Sequence, residues 1–75
     1  MDNKIDIDRE LERINKDIDD MQAAGMKQTI LDFFGGSENE REFIFAARAA
    51  VKARGYEAVH EYEDDELVLI IRKVA

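Results

Sequence analysis

The apolar residues of this chain change period at each glycine break, and that switching constrains the fold more than any other feature. Glycines stand at Gly25, at the Gly35-Gly36 pair and at Gly55, and there is no proline. Before Gly25, the residues Ile7, Leu11, Ile14, Ile18 and Met21 recur at spacings of four, three, four and three. One stripe along a 3.6-residue period results, which predicts a helix over about 6–24. Asp6, Asp8 and Glu10 load its first turn, where the positive end of the helix dipole favours acids. Gly25 supplies the left-handed stop. The stripe also suits a short coiled coil, but so few heptads fit docking on the chain's own core better.

Residues 26–34 alternate. Thr29, Leu31 and Phe33 point one way and Gln28, Ile30, Asp32 and Phe34 the other. A helical period would also gather Met26, Ile30, Phe33 and Phe34, but the β-branched and aromatic content between glycines favours a strand. Residues 38–54 carry a second amphipathic pattern, with Phe43, Ile44, Ala46, Ala47, Ala50, Val51 and Ala53 on one face. Ser37 and Glu40 have the spacing of a capping box, which makes Ser37 the expected N-cap. Arg54 suits the helix end, and Gly55 is the expected C′ residue. Residues 56–74 read as a hairpin turning at Asp64-Asp65, with its second strand apolar on both faces and therefore central. The expected fold is one α+β domain over residues 1–75, ordered α-β-α-β-β. Two helices cover one face of a three-stranded sheet, a permuted ferredoxin-like arrangement. A right-handed crossover makes the first two strands parallel, with the last strand between them.

Composition narrows the chemistry. Zero Cys excludes disulfides, thiol catalysis and Cys-type zinc sites, and one His cannot build a His-rich metal centre. No apolar run approaches the roughly 20 residues of a membrane span, and the acidic start lacks a signal peptide's features, so a cytoplasmic protein is expected. No cofactor is expected. His60 has no Ser or Cys elbow beside it and reads as a sheet residue rather than a general base. The Asp64-Asp65-Glu66 cluster lacks the spaced ligands and glycine of a calcium loop. Gly35-Gly36-Ser37 could aim amides at an anion, but no phosphate-loop lysine follows.

Eleven Lys and Arg against eighteen Asp and Glu give a net charge of −7, which disfavours direct nucleic-acid binding. A protein partner, itself basic, fits better. Glu57, Glu61, Glu63, Asp64, Asp65 and Glu66 crowd one hairpin, and of these Glu61, Glu63, Asp64 and Asp65 are candidate contacts. Phe45 lies opposite the second helix's core face, on the side of Arg41, Arg48 and Lys52, and makes a second candidate contact. On the sheet's other face Ile30, Phe34, Val59, Val68 and Ile70 have no helix to cover them, which points to an interface, a homodimer included.

Two resemblances add to this. Lys27-Gln28-Thr29-Ile30-Leu31-Asp32-Phe33-Phe34 resembles a sliding-clamp-binding box, which would plug Ile30, Phe33 and Phe34 into a clamp pocket from an exposed loop. A helix leads into a strand ending in Phe33-Phe34 and an acidic helix start at Ser37-Glu38-Asn39-Glu40; Ala46-Ala47-Arg48-Ala49-Ala50 then leads into Ala53-Arg54-Gly55-Tyr56-Glu57, and a strand, an acidic turn and Leu67-Val68-Leu69-Ile70-Ile71-Arg72-Lys73 follow. Over roughly residues 11–74 this order is similar to the regulator of ribonuclease E activity B family, whose members have more aromatics and a proline where this strand reads Leu31-Asp32-Phe33-Phe34-Gly35-Gly36-Ser37. That resemblance implies an acidic domain that inhibits an RNA-processing enzyme by contacting its scaffold region. The expected function is a non-enzymatic regulator that binds and modulates another protein. The alternatives are a phage-type or accessory inhibitor whose carboxylates mimic nucleic acid, and a clamp-binding protein.

Overall fold

Each change of period becomes a change of element. The computed structural model describes residues 4–74, in the order α1 (Ile7–Ala24), β1 (Gln28–Phe34), α2 (Glu40–Ala53), β2 (Tyr56–Glu63) and β3 (Glu66–Lys73). Helix α1 starts on Asp6, whose Oδ1 accepts from Arg9 N at 3.3 Å, satisfying one of the free amides at the helix start. It ends on Gly25 at φ 69°. The Gly25 amide donates to Gln22 O at 3.2 Å and Met26 N to Met21 O at 2.9 Å. Those two bonds close a Schellman motif, which needs the left-handed conformation that glycine adopts without strain.

β1 settles the ambiguous stretch as a strand, two residues shorter at its start than expected. The sheet runs β1-β3-β2 with both pairings antiparallel, so β3 is central and the two outer strands are parallel to each other. Both helices pack on one face. Ile14, Ile18 and Met21 of α1 and Phe43, Ala47 and Val51 of α2 meet Leu31, Phe33, Tyr56, Ala58, Leu67, Leu69 and Ile71 of the sheet. At about 1.5–3 kcal/mol for each large apolar side chain withdrawn from water, this layer is the principal source of stability. Phe33 and Phe43 meet edge to face, with ring centroids 4.9 Å apart, the geometry aromatic quadrupoles favour. Ala53, expected on the core face of α2, is exposed at the helix's last position.

The start of α2 differs from expectation. Asn39, not Ser37, is the N-cap, and its side chain makes no capping bond. It is drawn to the N-terminal segment instead: Ile5 N donates to Asn39 Oδ1 and Asn39 Nδ2 donates to Ile5 O, both at 2.8 Å. Glu40 still reaches back, its Oε2 accepting from Gly36 N at 3.1 Å. The local box gives way to a pair of hydrogen bonds with a segment more than thirty residues away. At the other end of α2, Arg54 does more than follow the dipole. Its guanidinium donates to Asn15 Oδ1 at 3.1 Å and pairs with Asp19, tying α2 to α1.

Candidate functional site

The face of the sheet away from the helices is built in cross-strand rows. Strand register places Ile30, Ile70 and Val59 side by side, then Asp32, Val68 and Glu61, then Phe34, Glu66 and Glu63. On the other flank lie Gln28, Arg72 and Glu57. An apolar row is thus framed by carboxylates, with Arg72 as the cation among these rows. Ile30 is 54% exposed and Phe34 88%, whereas Val68 is buried and Ile70 half-buried. Val68 therefore departs from the expectation of a wholly uncovered face: a central strand is shielded by both neighbours, and the stems of long flanking side chains add cover.

Glu61 and Glu63 sit on this face, and Asp64 and Asp65 form the two-residue turn between Glu63 and Glu66. Asp64 lies at φ 56°, a left-handed conformation that aspartate tolerates better than most side chains. The tip is anchored, since Gly35 N donates to Asp65 O at 2.9 Å. A Cβ on Gly35 would come within 2.7 Å of that oxygen, so close approach is what demands a glycine there. The Gly35 and Gly36 amides are both engaged within the chain, the second by the Glu40 carboxylate. An external anion would have to displace those partners.

Arg41, Phe45, Arg48 and Lys52 occupy the outer surface of α2, and Phe45 is 80% exposed. Phe45, Arg48, Ala49 and Lys52 line one wall of a shallow groove of about 600 Å³, with Tyr56, Glu57, Ala58 and Val74 opposite. The acidic and basic candidates accordingly do not form one site. They flank β2 on opposite faces of the sheet. Tyr62, 59% exposed, lies where Arg41 and Glu40 approach β2. Partial burial foremost, then the Glu40 carboxylate, raises its phenol above the ordinary value of 10.0, while Arg41 opposes the shift. His60, on the helix side of β2, is half-buried and meets the Tyr62 ring edge to face at 6.0 Å.

The clamp-box residues are divided by the strand. Phe33 is buried against Phe43 with the Arg13 guanidinium 4.9 Å from its ring centre, while Ile30 and Phe34 project from the opposite face. Presenting all three to a clamp pocket would require β1 to leave the sheet. A second groove, of about 550 Å³, joins Arg9, Arg13, Phe34 and Glu66 near the start of α1. Sequence reasoning missed it, because only tertiary packing brings α1 beside the end of β1. Asp32 was also missed as a member of the acidic rim, although period-two alternation places it on that face.

Among the described residues no three His, Cys, Asp or Glu side chains gather as a metal site, and no helix is long and apolar enough to cross a membrane. Comparison with protein-family models, curated proteins and solved structures returned no match.

Proposed function

We propose that this chain is a small acidic binding module that receives a basic, amphipathic segment of another protein on the open face of its sheet. The observation carrying this reading is the apolar row of Ile30, Ile70 and Val59 between rows that contain Asp32, Glu61, Glu63, Glu66 and Glu57. Apolar area at the centre supplies affinity, while the carboxylate frame selects a partner with Lys and Arg around an apolar stripe. A second copy fits less well, because two acidic frames on chains of net charge −7 would be pressed together. The resemblance to the regulator of ribonuclease E activity B family narrows the partner class to an RNA-processing enzyme, which the module would regulate without catalysis of its own. Nucleic-acid mimicry is the second reading, favoured by the acids gathered at the hairpin tip. It predicts competition with RNA or DNA for a basic groove.

The test uses a labelled peptide that forms an amphipathic helix with leucines flanked by lysines. Stopped-flow association at low salt is compared for the native chain and for Glu61→Gln, Glu63→Gln, Asp64→Asn and Asp65→Asn combined. The amides should leave the fold intact and slow association several-fold. They should also flatten its salt dependence, since these charges act over about 8 Å at physiological ionic strength. Ile30→Ser should instead speed dissociation. Association rates equal to the native chain's would place the contact elsewhere.

A further inference from the structure

The open edge of β2 and the cationic stripe of α2 together form a site of a different kind. Strand β2 is an edge strand, paired among the described residues only with β3. In an antiparallel ladder, residues alternately turn both backbone groups toward the partner strand and both away from it. Lys73 N donates to Lys27 O and Asp65 O accepts from Gly35 N, so odd-numbered residues of β3 turn toward β1. Even-numbered residues turn toward β2 and engage Glu57, Val59, Glu61 and Glu63. The backbone groups of Tyr56, Ala58, His60 and Tyr62 therefore point outward from the edge. They offer a ladder of donors and acceptors to another strand.

Alongside that ladder runs a single side-chain stripe. Arg41, Phe45, Arg48 and Lys52 stand at i, i+4, i+7 and i+11 of α2, one face of a helical period. The stripe is about 16 Å long at 1.5 Å per residue, matching about five residues of extended chain at roughly 3.3 Å each. The helix runs back along β2, with Arg41 near Tyr62 and Arg48 and Lys52 sharing the groove with Tyr56 and Ala58. At the other sheet edge, β1, the neighbouring α1 surface mixes signs: Arg9 and Arg13 lie near Phe34, but Glu10 pairs with Arg13 and Asp17 accepts from the Thr29 hydroxyl.

We propose that this groove binds an extended acidic peptide by strand addition to β2. Backbone bonds to the outward groups of residues 56–62 would supply affinity without regard to sequence. Selectivity would come from alternate side chains of the peptide, which rise toward α2. There Arg41, Arg48 and Lys52 favour glutamate or aspartate and Phe45 favours one apolar residue. The intervening side chains fall beside Glu57, Val59 and Glu61, where an acid would be repelled. The recognised pattern is thus acidic at every second position, not uniformly acidic. A second copy adding edge to edge would set the two cationic stripes facing each other, so a foreign acidic strand is the occupant. The site does not rest on the sheet-face reading, because it is built on the backbone edge of β2 and the α2 stripe, and the two surfaces meet only along Glu57, Val59 and Glu61.

The test selects binders to the full chain from a displayed library of random octapeptides, then maps the best synthetic peptide by amide chemical-shift changes. Enriched peptides should carry acids at alternate positions, and shifts should concentrate in residues 56–62 and along the α2 stripe. The double variant Arg48→Glu, Lys52→Glu, both exposed, should weaken binding at least tenfold with unchanged circular dichroism. N-methylation of alternate peptide amides should do the same, whereas Ile30→Ser and Glu61→Gln should not. Failure to enrich alternate acids, shifts centred on Ile30, Val68 and Ile70, or binding that survives the charge reversal would overturn the proposal. Dimerisation of the chain through this edge, detected by sedimentation, would overturn it as well.

Discussion

Ile18 and Ile30 are the same residue on opposite sides of the logic, and replacing each by alanine tests it. Ile18 is fully buried in α1 between the sheet and α2, while Ile30 is 54% exposed on the open face. Removing a fully buried isoleucine to alanine costs about 2–5 kcal/mol through lost burial and the cavity left behind. A chain of this size has a total stability of about 4–11 kcal/mol, so Ile18→Ala should remove a large share and lower Tm by at least about 8 °C. Ile30→Ala gives up roughly half of the ~1.5–3 kcal/mol of a full burial, or about 1 kcal/mol. The assay is urea unfolding followed by circular dichroism at two protein concentrations tenfold apart. The expected result is a large midpoint shift for Ile18→Ala, a small one for Ile30→Ala, and no concentration dependence in the native chain. If Ile30→Ala cost as much as Ile18→Ala, or the native midpoint rose with concentration and Ile30→Ala abolished that rise, the open face would be covered in solution. The free docking surface inferred above would then not exist.

Gly35→Ala should destabilise the chain by about 1–3 kcal/mol, because its Cβ would press on the Asp65 carbonyl and strain the bond anchoring the hairpin tip; urea midpoints read this, and an unchanged midpoint would mean the tip is free to move. Tyr62 predicts a pH effect of definite sign. With its folded pKa raised above 10.0, chiefly by partial burial and then by Glu40, its contribution is fully present below pH 10 and is lost as pH rises through the raised value. Tyr62→Phe should therefore flatten the alkaline decline in stability, and a decline unaltered by that substitution would assign the effect to another group.

Local periodicity and glycine chemistry were enough to order the five elements, to end α1 at Gly25 and to say which side of each strand is buried. These properties depend on residues a few positions apart, and a strand's alternation turns Leu31 and Phe33 inward whatever lies elsewhere. Tertiary structure alone decided where local signals faced distant competitors. Ser37 and Glu40 had the spacing of a capping box, but the Asn39 side chain found two hydrogen bonds with the Ile5 backbone and the helix began later. Arg54 had a local role at a helix terminus and found Asn15 and Asp19 on another helix. Phe45, Arg41, Arg48 and Lys52 were visible as a helical face, yet nothing near them in the chain showed that this face follows the unpaired edge of β2. Glu61 and Glu63 likewise became part of a frame only when register set them beside Val68 and Glu66. The physical reason is the same in each case: a short-range pattern reports how the chain turns, but a surface is composed by segments that meet only after folding.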